Sequence, residues 1–427
     1  MAKVYENIFS EELTKQIRDR FYFVDKDDFT DKRVYFENSG GSLRLKSVVE
    51  ASSYVMRFPE SSTRPNKAAK FLLETINGGK DDFKKFINAS KGSIVTNFTA
   101  SRVLFNITEA ILCNAPGSNV VTTCLDHPGS YDSAKYYCNK YNKEFRECKA
   151  NPVTGGIDVS EVLDKVDKDT CLLSMIYTSN ITGAAMDVEA IISEVRKVNP
   201  SVYILLDAVQ RAPHGVIDFD KLQLDGVVVA PYKFFGNRGI GLGFVSERVA
   251  SFPHEKITGK SPDVWELGSA DASDFASFSK IIEYLCFLGS HFTDSKDKRT
   301  LIATAMHKIE FQEKFLLYSL LEGTPNAKGL RYIDGVTVHF DTEDLASKDL
   351  IIAISFDSMD CSSAVRLYDK ENYIVFERLA SSPYSKRMMD AFGLEGIIRV
   401  SPMHFNDLEE IEGFLIASEK IAKNKYV

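Results

Sequence analysis

An α/β fold, with a large, doubly wound and mostly parallel sheet followed by a small α+β C-terminal domain, is predicted by three features of the sequence. Between about residues 90 and 245, short β-rich runs alternate with amphipathic helical stretches. A long helical pattern beginning near 298 (KRTLIATAMHKIEFQEKFLLYSLLEG) ends at Gly323. Beyond it the chain reads strand–strand–helix–strand–strand–helix. The expected division is an N-terminal arm over residues 1–30, a large domain over 31–295 and a small domain over 296–427.

The arm is polar and charged, with weak helical patterning suited to packing on a larger body. Strands are predicted at 93–96, 119–123, 172–177, 202–206 and 226–229. Over 187–198, Val188, Ile191, Ile192, Val195 and Val198 recur at helical spacing on one face. Strands interleaved with helices give a parallel sheet covered on both faces. In such sheets ligands sit beyond the carboxyl ends of the strands, so residues just after each strand are the candidates for chemistry.

Composition narrows the function. At 44% hydrophobic and 26% charged, the chain has the mix of a folded globular protein. A formal charge of −8 argues against a nucleic-acid or anionic-membrane partner. No apolar run approaches the roughly 18–20 residues of a membrane span, and the first twenty residues lack the apolar core of a secretory leader. Seven cysteines show no CxxC pairing and read as free thiols in a reducing cytoplasm. Seven histidines without HxH or HxxxH spacing give no reason to expect a metal site.

The strand ends carry the chemistry. The run 202–206 leads directly into Asp207, and 226–229 leads through Ala230, Pro231 and Tyr232 to Lys233. Taken singly, Asp207 reads as a helix N-cap and Lys233 as a side chain reaching solvent. On adjacent strands they match what pyridoxal 5′-phosphate (PLP) requires. A lysine amine joins the cofactor aldehyde as an imine, and a carboxylate keeps the pyridine nitrogen protonated. A phosphate needs free backbone N–H groups at a helix start, and Thr99, Ala100 and Ser101 follow the first strand into a helical run, although Thr99 and Ser101 taken singly read as helix caps. His127 follows the second strand, where its ring can stack on the pyridine, although a lone loop histidine also reads as simply solvated. Asn180 follows the third, in reach of the phenolic oxygen, although Asn180 and Gly183 also read as ordinary turn residues.

These segments, in this order, resemble the class V aminotransferases of the fold-type I PLP enzymes, which include cysteine desulfurases, kynureninases and isopenicillin N epimerase. The resemblance runs from VYFENSGGSL (34–43) to IIRVSPMHFND (397–407) and is most specific at DAVQRAPHGVIDF (207–219) and PYKFFGNRGIG (231–241). It implies Lys233 as the Schiff-base lysine and Asp207 as the partner of the pyridine nitrogen. It further implies that Gln210 and Asn180 reach the phenolic oxygen, that His127 stacks on the ring, and that Thr99, Ala100 and Ser101 cradle the phosphate. WELGSAD (265–271) is similar to the segment that sends a hydroxyl, here Ser269, to the phosphate across a homodimer interface. Arg399 matches the arginine that clamps the substrate carboxylate, a task its two-pronged guanidinium suits, the alternative being a surface ion pair with nearby Glu residues.

Several positions depart from the desulfurase pattern. Ala230 and Tyr232 stand where desulfurases usually carry a serine and a histidine, and a tyrosine before the lysine is similar to kynureninases, where the phenol contacts phosphate. The small-domain loop that presents the desulfurase cysteine corresponds to ERLASSPYSKRMMDAFG (377–393), which contains none. Asn237-Arg238 replaces the usual proline-containing turn. The expectation is a PLP enzyme acting on a small α-amino acid, by transamination, β-elimination (C–S or kynureninase-like) or epimerisation, with desulfuration disfavoured. A non-catalytic scaffold is the reading from another class. Ser39-Gly40-Gly41 belong to the loops that would select the substrate, but the sequence alone does not place them.

Overall fold

The computed structural model describes residues 5–423. Its centre is a seven-stranded sheet built from β1 (Gly92–Asn97), β2 (Asn119–Thr123), β3 (Glu144–Cys148), β4 (Thr170–Ile176), β5 (Tyr203–Asp207), β6 (Gly226–Val229) and β7 (Gly241–Ser246). The spatial order is β1-β7-β6-β5-β4-β2-β3. Only β7 runs against its neighbours; all other pairings from β6 to β3 are parallel. The carboxyl ends of β1, β2, β4, β5 and β6 therefore open on one edge.

Alternation along the central strands shows both faces to be buried. Ile204 and Leu206 of β5, with Val227 and Val229 of β6, enter one apolar cluster, whereas Leu205 and Val228 between them enter another. Helices Ala100–Asn114 and Pro128–Lys140 supply Val103, Leu104, Ile107 and Tyr137 to the second. Helix Val188–Val198 covers the first with Val188, Ile191, Ile192 and Val195, while Val198 remains exposed at its end. Two strands were not anticipated. β3 (EFREC) is a polar edge strand, and β7 (GLGFVS) carries two glycines, so neither shows the β-rich run that marks the other five.

A second, four-stranded antiparallel sheet contains β8 (Val336–His339), β9 (Ile352–Phe356), β10 (Phe376–Leu379) and β11 (Gly396–Val400), ordered β8-β9-β11-β10. Helices Cys361–Lys370 and Leu408–Ala422 pack on it, and a short helix Lys386–Phe392, absent from the sequence expectation, precedes β11. Helix Lys298–Glu322 joins the two sheets: Ile302, Ala305, Met306 and Ile309 belong to the large cluster, Leu316, Leu317, Leu320 and Leu321 to the small one. Val34–Tyr35 pairs in parallel with Tyr373–Ile374, and Val34 and Phe36 join the small cluster. That pairing carries the segment 37–41 to the edge of the large sheet. Near the N-terminus, helix Glu11–Arg18 buries Leu13 and Ile17. Among the described residues no helix is long and apolar enough to cross a membrane.

Candidate active site

The strand ends converge on a cavity of about 400 Å³, within the range typical of small-molecule sites. Thr99, Ala100 and Ser101 from the β1 end, His127 from β2 and Asn180 from β4 line it. So do Asp207 and Gln210 from β5, Tyr232 and Lys233 from β6, and Arg399 from β11. Ten of the eleven residues singled out in the sequence thus share one cavity; the eleventh, Ser269, lines a neighbouring depression of about 730 Å³ with Phe98, Trp265 and Leu267.

Lys233 ends a single 3₁₀ turn, Pro231–Lys233, set by the proline at its start. The turn is stitched to the N-terminal segment: Ser42 N–H and Arg44 Nη1 donate to the Tyr232 carbonyl at 3.1 and 2.9 Å, and Phe235 N–H donates to Ser42 Oγ at 2.7 Å. Phe235 holds a left-handed φ of 63°, costly for a bulky residue by about 1–3 kcal/mol, while its ring is fully buried against Phe21, Tyr284 and His404. The reward is a buried amine. Lys233 Nζ donates to Gln210 Oε1 at 3.3 Å, and burial, reinforced by Arg399 and Arg378, brings its pKa down to about 7. An amine at that value is substantially unprotonated at neutral pH, the form that attacks an aldehyde.

Asp207 is the mirror case. It accepts Val209 N–H at 3.0 Å, and burial, opposed by that bond, pushes its pKa up to about 7. The loop beyond it is anchored by Arg211, which donates to Asp349 and Glu310, while Thr178 donates to Asp349 at 2.7 Å. Gln210 Nε2 donates to Ser39 Oγ at 3.2 Å, so the segment 39–41 that the sequence could not place forms part of the wall.

His127 caps helix Pro128–Lys140, its Nδ1 accepting Gly129 N–H at 3.1 Å. Burial, with Lys233 and Arg387 nearby, brings its pKa down to about 3, so the ring is neutral. Asp126 fixes the turn by accepting from Thr123 N–H at 2.9 Å and Ser130 Oγ at 3.0 Å. Thr99 caps helix Ala100–Asn114 by accepting Arg102 N–H at 3.2 Å. Gly241 at the start of β7 crosses this helix start so closely that a Cβ would collide with Ala100 N. Asn180 Oδ1 is buried and has no partner.

Residues to which the sequence reading gave no role complete the cavity: Arg238, noted only for its departure from the family turn, lines it with Arg378 and Tyr384, and Glu37 bonds to both Arg378 and Arg399. Their signal was present in the quoted segments, since Glu37 lies in VYFENSGGSL and Arg378 is the second residue of the cysteine-free loop. None of the seven cysteines lines the cavity. Cys361, at the start of helix Cys361–Lys370, has its thiol pushed up to about 11 by burial.

A buried amine, an unpaired buried amide, a helix start with free N–H groups and several cations fit one kind of guest, a planar carbonyl cofactor bearing an anionic phosphate. Fold and site thus define a PLP enzyme of fold type I. The class V aminotransferase profile matches residues 34–326, and the chain belongs to that family, whose members depend on PLP. It is 23% identical over 422 residues to an aminotransferase-like protein of Gibberella zeae, covering 95% of this chain and 98% of that one. A probable cysteine desulfurase of Borreliella burgdorferi is 23% identical over 443 residues, covering 96% and 97%. Among solved structures, the apo cysteine desulfurase of Thermococcus onnurineus superposes with a TM-score of 0.80 at 19% identity, covering 96% of this chain and 98% of that one.

Proposed function

We propose that this chain acts on a small α-amino acid through Lys233, by aminotransferase-like chemistry or β-elimination rather than by desulfuration. The observation that carries the first half is the pairing of Lys233 and Asp207 at adjacent strand ends, each brought to a pKa of about 7 by burial. When bound, PLP supplies an electron sink for the pair released at the amino acid's Cα. Lys233 anchors it and, once its amine is free, serves as the base that takes the Cα proton and the acid that returns it. Asp207 holds a proton at the pyridine nitrogen. Asn180 and Gln210 would reach the phenolic oxygen, and the neutral His127 ring would stack on the cofactor without adding charge. Thr99, Ala100 and Ser101 receive the phosphate, with Tyr232 beside them, and Arg399 receives the substrate carboxylate.

Ser269 would reach the phosphate of a second subunit in a two-fold homodimer. Phe98 and Leu267, 82% and 49% exposed at the rim of the larger depression, suit such an interface. The seven free thiols suit a cytoplasmic enzyme.

Desulfuration needs a thiolate to take the substrate sulfur as a persulfide. The loop 377–393 offers Ser381, Ser382, Tyr384 and Ser385 instead, and hydroxyls do not accept sulfur at neutral pH. The test is incubation of the PLP-loaded protein with a panel of amino acids, following cofactor absorbance, keto acid, ammonia, sulfide and alanine. A spectral shift with amino acids but not with simple amines is expected; from cysteine, pyruvate and free sulfide or no sulfur product at all. Alanine together with a protein persulfide would restore the desulfurase reading.

A further inference from the structure

Arg399 is wholly buried, yet one edge of its guanidinium is already taken. Its Nε donates to Glu37 Oε2 at 3.3 Å, its Nη2 to Glu37 Oε1, and its Nη1 to the Asn180 carbonyl at 2.9 Å. A second arginine shares the same carboxylate. On the antiparallel pair β10–β11, Phe376 stands opposite Arg399, which puts Arg378 diagonally beside Arg399 on the same face. Arg378 Nη2 donates to Glu37 Oε1 at 3.1 Å, and its Nε is buried without a partner. Burial and the adjacent Arg399 bring the Arg378 pKa down to about 10, so one carboxylate does not compensate both cations.

The backbone holds Glu37 in this position. Residue 37 bridges in parallel to Ser401, two residues beyond Arg399, and Gly40 N–H donates to the Glu37 carbonyl at 3.0 Å. A Cβ at Gly40 would collide with Glu37 Oε1 and stand 3.2 Å from Arg399 Nη2. A glycine is required there for the carboxylate to reach both arginines. Arg378 and Arg399 line the cavity. The cluster therefore presents two cations, one internal anion and one positive charge left over.

We propose that Glu37 is a specificity-determining residue, a built-in carboxylate that satisfies one of two neighbouring arginines and restricts the site to amino acids bearing a single carboxylate. A monocarboxylate brings the cluster to neutrality. A second carboxylate on the substrate would meet Glu37 across the same two guanidiniums, and like charges in a partly desolvated site repel strongly. This rests on the reading that Arg399 receives the substrate carboxylate, and the experiment separates the two ideas.

The probes are propionate and succinate, which carry no amine and report the clamp alone, titrated calorimetrically into the PLP-loaded protein. The wild type should bind propionate at least as tightly as succinate. Glu37→Gln should raise the succinate-to-propionate affinity ratio at least tenfold, and Glu37→Asp, which keeps the charge, should not. A ratio unchanged in a folded Glu37→Gln protein overturns the inference. Should that variant fail to fold, Arg378→Gln approaches the balance from the other side. It leaves Glu37 and Arg399 neutral together, so propionate binding should fall at least tenfold, and undiminished binding overturns the inference equally. If Arg399→Ala weakens both probes while Glu37→Gln leaves the ratio unchanged, only the specificity inference is lost. Propionate binding that survives Arg399→Ala overturns the carboxylate assignment as well.

Discussion

The two walls of the cavity are built on opposite electrostatic plans. On the large-sheet side, Lys233 has one bond at 3.3 Å, Asp207 accepts one backbone N–H, and Asn180 Oδ1 has no partner. Burial there displaces both charged groups toward their neutral forms. On the small-sheet side, Arg399 is bonded along one edge to Glu37 and by Nη1 to a carbonyl, and Arg387 is bonded at both Nη atoms. The reactive wall is left electrostatically unfinished for a guest to complete. On the recognition wall Arg399 and Arg387 are held in place before any guest arrives, which keeps their geometry sharp, while Arg378 Nε is left without a partner.

The largest expected effect follows from breaking the unfinished wall. Lys233→Ala should abolish the visible absorbance of the PLP-loaded protein and nearly all turnover, with no borohydride-stable adduct at position 233. Asp207→Asn should keep PLP bound but lower kcat by two or more orders of magnitude, because the pyridine nitrogen loses its proton partner. A borohydride adduct on a different lysine would move the reactive wall elsewhere.

Breaking the recognition wall should act on binding. Removing one member of a buried charge-assisted pair costs on the order of 2–5 kcal/mol, so Arg399→Ala should raise KM tens-fold or more with a smaller change in kcat. Wild-type turnover of an amine as fast as of its parent amino acid would contradict the assignment.

The same contrast decides what could be read from the sequence. Lys233, Asp207, His127 and Asn180 each follow a strand directly, and in a parallel sheet that position fixes which edge they reach. Local order was enough. Glu37 meets Arg399 across 362 residues, and Arg378 lies beside Arg399 only because of the β10–β11 register. No periodicity encodes a pairing of that kind. The strands missed, β3 and β7, fail for a related reason: one is a polar edge, and the other is an antiparallel strand whose glycines serve close backbone approach.

A third expectation is a pH signature of the unfinished wall in cofactor-free protein. Asp207 is raised to about 7, so between the ordinary carboxylate range and pH 7 the folded chain holds a proton the unfolded chain has lost. Stability then falls as pH rises through that window. Lys233 is lowered to about 7, so between pH 7 and the ordinary ammonium range the unfolded chain holds the extra proton, and stability rises with pH. The two contributions meet near pH 7; because His127, lowered to about 3, makes stability rise with pH over the acid window, they are read as differences in urea midpoint between wild type and variant at each pH. Asp207→Asn should remove the acid limb and Lys233→Met the alkaline one. Identical profiles for wild type and both variants would refute the assigned shifts.

The smallest expected effect concerns Arg387, where the two walls touch. It stands in the short helix Lys386–Phe392, within the loop that lacks the cysteine. Its Nη1 donates to the Cys124 carbonyl and its Nη2 to the Asp126 carbonyl, and its guanidinium lies 3.8 Å from the Tyr131 ring centroid. Those carbonyls flank the turn that presents His127. In place of a nucleophile, the loop supplies a tether from the small sheet to the turn bearing His127, the residue proposed to stack on the cofactor. Arg387 is half-buried and its acceptors are neutral, so its loss should cost about 1.5 kcal/mol of stability, the lower end for a hydrogen bond to a charged group. It is also one of the cations that hold the His127 pKa down, after burial and Lys233. Arg387→Ala should therefore raise the His127 pKa as read by NMR and speed PLP dissociation several-fold, with a modest fall in kcat. Arg387→Lys keeps the charge but loses the paired donors, so it should restore the pKa and leave the faster dissociation. If neither quantity moves in either variant, Arg387 is a surface contact and the two walls meet without communicating.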